Sequence, residues 1–266
     1  MSKLLRYVAC ALFSAVVLCV PAVSHAQAAF NGTWRVDMAT AKFSPKPVTF
    51  YIGHGWYHCV SCDTPFTVQA DGKDHPVTGQ RFDSISVTIV NPQTISMNES
   101  KDGRVITEQT RTVSANGKIL TVKTTGHPQN GSKPVTFEIT AKREGIAPSD
   151  VHATSGNWII EKGSGSENAL LTTYKVTGDQ IAMTDPTGDS YTAKLDGQDY
   201  PTTGIYGQDA VALKLVNPHT IQETDKLKGK VIGTETMTVS PNGKSMTIVA
   251  TDPKDGSTST YVAHKQ

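Results

Sequence analysis

The residues best equipped for chemistry lie in one stretch, His54-Gly55-Trp56-Tyr57-His58-Cys59-Val60-Ser61-Cys62. Two cysteines spaced by two residues, with two histidines close by, form the donor set of a zinc or copper site, and such a cysteine pair can also cycle between dithiol and disulfide. Haem attachment would need a histidine directly after Cys62, and none stands there. Read as a strand, the stretch puts His54 about 16 Å from Cys59, at roughly 3.3 Å per residue, too far to share a metal. His58 points to the opposite face from Cys59. No metal and no cofactor are therefore expected. A redox pair is usually activated at a helix N-terminus, and no helical pattern follows Cys62. The expectation is a Cys59–Cys62 disulfide across a hairpin turn, as an oxidising compartment favours. No nucleophile elbow, phosphate loop or dinucleotide fingerprint appears, so no catalytic residue is assigned.

The elements that position these residues occur twice. Segment 66–79 returns as 191–204, 90–95 as 216–221 and 112–118 as 238–244; Val90-Asn91-Pro92, for example, returns as Val216-Asn217-Pro218. A period of about 125 residues is far longer than a solenoid repeat and matches a whole domain. Two copies of one β domain follow, and residues present in only one copy become the functional candidates. Trp56 and His58 share a strand face and align with Ile181 and Met183, while the tetrapeptide Cys59 to Cys62 aligns with the turn-forming Thr184-Asp185-Pro186-Thr187. Either this face is core in both copies, or Trp56 and His58, with Tyr57, line a ligand cavity in the first copy alone.

Lys3 and Arg6 followed by an apolar run to Val20, then Ser24-His25-Ala26, read as a signal peptide over residues 1–26, cleaved after Ala26. Without it, 25 basic residues become 23 against 24 acidic ones, a formal charge of −1. That balance offers no field for nucleic acid and no patch for anionic lipid. Cys10 and Cys19 leave with the leader. The expected location is the periplasm or the exterior, with no membrane insertion after cleavage.

Downstream, apolar and polar residues alternate. Ile85, Val87 and Ile89 form one face, matched by Val211, Leu213 and Leu215. Asn116-Gly117 and Asn242-Gly243 sit between such runs as hairpin turns. The expected fold is all-β: two tandem antiparallel β-barrels of roughly eight or nine strands each, with a β-sandwich as the alternative. Domain 1 spans 27–145, a linker 146–155 and domain 2 156–266.

Gly32-Thr33-Trp34 and Gly156-Asn157-Trp158 each open a copy, and they resemble the Gly-x-Trp opening strand of lipocalins and related calycin barrels. The whole chain after the leader is similar to a group of exported bacterial proteins with lipocalin-like repeats. The resemblance implies a Trp packed across a barrel end near a basic residue of the last strand: Arg143 for the first copy, Lys265 for the second. It also implies a cup for a small apolar ligand. The expected function is therefore non-enzymatic binding of an apolar or aromatic molecule. A structural or protein-interaction module with packed barrels, and a metal or thiol redox protein using the Cys pair, are the alternatives.

Overall fold

The computed structural model describes residues 28–266 apart from Asp63 and Tyr206; residues 1–26, the expected signal peptide, lie outside the described residues. The protein is all-β. The first ten strands are β1 (Gly32–Lys42), β2 (Val48–Gly53), β3 (Trp56–Cys59), β4 (Phe66–Gln69), β5 (His75–Pro76), β6 (Ser84–Asn91), β7 (Thr94–Lys101), β8 (Arg104–Val113), β9 (Ile119–Gly126) and β10 (Val135–Glu144). The second ten are β11 (Gly156–Gly165), β12 (Leu171–Thr177), β13 (Gln180–Thr184), β14 (Ser190–Lys194), β15 (Asp196–Thr203), β16 (Ala210–Asn217), β17 (Thr220–Leu227), β18 (Lys230–Val239), β19 (Ser245–Thr251) and β20 (Thr258–Lys265).

They form two antiparallel meanders. In the first barrel the order is β4-β3-β2-β11-β10-β9-β8-β7-β6-β5, with the ring left open between β4 and β5. In the second, β1 and β12 through β20 close completely. Each barrel thus contains the opening strand of the other copy. This overturns the expectation that each copy closes on its own strands. Segment 146–155 does not separate the barrels; it joins β10 to β11, neighbours in one sheet. The chain instead passes between barrels through residues 43–47 and 166–170.

The reason lies in local connectivity. The opening strand of either copy needs two neighbours, the second and the last strand of a barrel. β11 follows β10 directly, and consecutive strands usually pair. Once β11 occupies the gap between β10 and β2, β1 takes the equivalent place between β20 and β12.

The Gly-x-Trp segments show the exchange in side chains. Trp158 lies under the Arg143 guanidinium at 4.1 Å, and Trp34 under the Lys265 ammonium at 5.1 Å. The partners implied by the resemblance are therefore swapped. The indole N–H of Trp34 donates to Phe30 O at 2.8 Å, and that of Trp158 to Thr154 O at 2.9 Å. Glycine is required in front of each Trp. Gly32 and Gly156 have φ of 120° and 127°, and a Cβ would stand 2.8 Å from Lys265 and 2.6 Å from Arg143. Side chains longer than hydrogen would push the basic residue off the ring.

Each barrel buries its own apolar interior. Phe50, Ile52, Tyr57, Val87, Ile95 and Trp158 anchor the first; Phe30, Trp34, Ile181, Leu213, Ile221 and Met237 anchor the second. Asn116-Gly117 and Asn242-Gly243 form the expected turns, with Gly117 and Gly243 at positive φ. Ile89 departs from the expected face: it is exposed, beside a shift in the β6–β7 register.

Candidate functional site

A two-residue turn decides where the sequence's candidates point. His54 and Gly55 both have positive φ, so Gly53 pairs directly with Trp56 and Ile52 with Tyr57. Ile52 and Tyr57 face the core, and Trp56 and His58 face outward. Trp56 is 41% exposed and Tyr57 1%. His58 Nδ1 meets Thr67 Oγ1 at 2.9 Å on the outer surface. In the second copy Thr177 pairs with Gln180 and Val176 with Ile181. Trp56 therefore corresponds to Gln180, and Tyr57 to Ile181. The expectation that Trp56 and His58 match Ile181 and Met183 was one residue out of step, and in a strand one residue inverts every side chain. Of the three candidates only Tyr57 reaches the interior.

Cys59 and Cys62 are joined as a disulfide with a Cα–Cα distance of 5.6 Å. The bridge closes the β3 end of the first barrel. Its turn is tied back to β2: Val60 N and Ser61 N donate to Thr49 O at 3.1 and 3.3 Å, and Thr49 N donates to Ser61 Oγ at 2.9 Å. Among the described residues, no group of three His, Cys, Asp or Glu side chains is arranged to hold a metal. The Asp-Gly turns shared by the copies use their carboxylates locally. Asp71 Oδ1 accepts Lys73 N, and Asp196 Oδ1 accepts Gln198 N, each at 3.0 Å.

A cleft of about 780 Å³ lies between the two barrels and is lined by residues of both. The first barrel contributes Phe50, Arg111, Ile160 and the disulfide; the second contributes Asp225, Glu235, Ala250 and Ser259. The crossing segment lines it with Phe43 and Pro47. That segment is held to the second barrel by Ser44 N donating to Ser259 Oγ at 3.0 Å and by a Lys46–Asp255 ion pair at 3.4 Å. A smaller cleft of about 500 Å³ lies between the first barrel and loops of the second, lined by Gln109, Thr124, Phe137, Asp185 and Asp189.

Charges inside the barrels differ by position. Glu223 pairs with Glu235 across β17 and β18, with Asp225 next along the inner face. Tyr191 donates to Glu223 Oε2 at 2.7 Å, Tyr261 to Glu235 Oε1 at 3.2 Å and Gln208 Nε2 to Asp225 Oδ1 at 2.8 Å. Burial first, then mutual repulsion with Asp225 and Glu235, pushes the Glu223 carboxyl well above its ordinary range. Burial followed by Asp225 raises Glu235, and burial raises Asp225. Tyr174, Tyr191 and Tyr261 are raised too, by burial and then by the neighbouring glutamates. The wall is thus held toward its neutral, hydrogen-bonding form.

In the first barrel the corresponding positions carry other groups. Met97 pairs with Gln109 as Glu223 pairs with Glu235, and Ile95 pairs with Arg111 as Ile221 pairs with Met237. Arg111 donates from Nε to Gln109 Oε1 at 2.5 Å and from Nη1 to Tyr57 Oη at 3.3 Å, and its guanidinium sits 4.4 Å from the Phe50 ring centroid. These residues were missed in the sequence. The signal was present: Arg111, Glu223 and Asp225 share parity with the apolar residues Val113 and Ile221 on their strands, and a charge at an inward position is the anomaly worth following.

Comparison with known proteins finds no family model that matches the chain and no curated protein that matches it.

Proposed function

We propose that this is an exported, non-enzymatic protein that binds a small apolar or aromatic molecule in the cleft between its barrels. The supporting observation is the cleft itself. Its volume of about 780 Å³ falls in the range of ligand sites, and its lining mixes Phe43, Phe50 and Ile160 with a few polar groups. The strand exchange adds to this reading, because it ties the two barrels to one another by two short crossing segments. The Gly-x-Trp ends and their basic caps fit the lipocalin resemblance, and export fits the leader and the disulfide. Tyr57 remains part of the site through Arg111, whereas Trp56 and His58 drop out of it.

The test is to fill the cleft. Ile160→Trp places an indole where the apolar body of a ligand would lie. N-phenylnaphthylamine, an uncharged fluorescent probe, is expected to bind the wild-type protein and to lose at least tenfold in affinity in the variant. Native mass spectrometry of protein from its own compartment would show whether a small molecule accompanies it. Undiminished probe binding in Ile160→Trp, with the strand signal intact, would place the ligand elsewhere.

A further inference from the structure

Arg111 is a cleft residue whose donors the barrel itself leaves partly unused. It projects inward from β8, half-buried, and among the described residues no carboxylate lies within ion-pair distance of it. Both of its protein acceptors, Gln109 and Tyr57, are neutral. Among the described residues, the remaining N–H groups of its planar fork have no hydrogen-bond partner. Arg111 lines the cleft, and its flat donor edge matches the two oxygens of a carboxylate or sulfonate.

Arg111 is not demanded by the architecture. Its counterpart in the second barrel is Met237, at the same register position, and that barrel closes completely. Phe50 holds the guanidinium plane from one side, and together with Ile160 and Phe43 it supplies apolar surface at the same place. The opposite wall carries Asp225 and Glu235, which would repel an anion if both were charged. Burial disfavours their charged form, which weakens that repulsion, and Gln208 and Tyr261 already donate to them.

We propose that the cleft selects organic anions, with Arg111 gripping a carboxylate or sulfonate while the ligand's aromatic or apolar body lies against Phe50 and Ile160. The proposal rests on the cleft reading above and adds the charge of the ligand to it.

Three fluorescent probes of similar size separate the two ideas: anilinonaphthalene sulfonate, uncharged N-phenylnaphthylamine and cationic dansylcadaverine. The sulfonate is expected to bind about tenfold or more tightly than the uncharged probe, a difference of about 1.4 kcal/mol. Arg111→Met, which installs the residue of the other barrel, should remove that advantage and leave N-phenylnaphthylamine within about twofold. Arg111→Gln is measured beside it, and retained N-phenylnaphthylamine affinity identifies a folded variant. If the uncharged probe binds but the sulfonate binds no better, or keeps its advantage in a folded variant, the anion proposal is overturned and the cleft reading stands. Tightest binding of dansylcadaverine also overturns it and would move the selectivity to Asp225 and Glu235. If none of the three probes binds the wild-type protein, the cleft reading fails and the proposal falls with it.

Discussion

Glu223, Asp225 and Glu235 crowd one wall of the second barrel, so protonating them relieves both burial and repulsion. Their folded pKa values lie above the unfolded range of about 4. The folded state therefore holds more protons than the unfolded chain once the pH exceeds that range. Stability from this wall is complete below about pH 4, falls as pH rises, and levels off above the raised values. Asp189, raised to about 6 by burial and then by Asp185, acts in the same direction. Thermal melting is expected to drop between acid and neutral pH. Glu223→Gln should flatten that slope and raise neutral-pH stability by on the order of 1 kcal/mol or more. An unchanged slope in Glu223→Gln would show that the wall is not the source. Trp56 makes the opposite case: an aromatic residue of one copy, conspicuous in the sequence, stands on the outside. Trp56→Ala is expected to alter stability by no more than about 0.5 kcal/mol and to leave N-phenylnaphthylamine binding unchanged.

For strands and turns, much was legible because both copies spell them with the same residues. Asn116-Gly117, Asn242-Gly243 and the Asp-Gly pairs need positive φ, a demand that belongs to the local chain alone. The disulfide was legible for the same reason, since Cys59 and Cys62 flank one tight turn. Changing both to Ser should cost about 2 kcal/mol, the entropy of so short a loop, and alkylation should label the wild-type pair only after reduction. What failed was parity. The two turns preceding β3 and β13 are spelled differently, His54-Gly55 against Gly178-Asp179, so nothing in the sequence marks that Trp56 corresponds to Gln180. The meaning of Gly-x-Trp also needed coordinates. Gly156 gives room for Arg143 to cover Trp158, so Gly156→Ala should lower stability by roughly 1–3 kcal/mol, from backbone strain and the displaced guanidinium. Differential scanning calorimetry would measure it.

At the scale of the molecule, sequence copy and folded barrel are different units. Nothing in the alternation of apolar residues could reveal the exchange, because β1 and β11 share the same opening motif and either would fit either gap. The distinction came from which strand is tethered next to β10. A fragment of residues 47–165 contains every strand of the first barrel and is expected to fold, with dispersed amide resonances and a monomeric elution volume. A fragment of 27–145, one full copy, lacks β11 and carries β1 without its partners; it should aggregate or remain unfolded. The reverse outcome would refute the exchange. The same arrangement also sets an order of events in time. Thr33 touches Thr173 across 140 residues of chain, and Thr40 receives Val262 N across 222. The earliest strand to be synthesised is thus the last to find its seat, and contacts so distant in sequence are slow to form. Until β20 arrives, Trp34 has its β12 neighbour Thr172 but lacks Lys265, both its other sheet neighbour and its cover, and the second barrel is an unclosed ribbon. Domain-by-domain folding, the usual course for tandem chains, remains open to the contiguous first barrel, whereas the second must recruit β1 from the far end of the chain. For a chain exported as proposed above, the delay falls on the second barrel alone, which closes only after β20 has crossed, around a strand that has been waiting since the start.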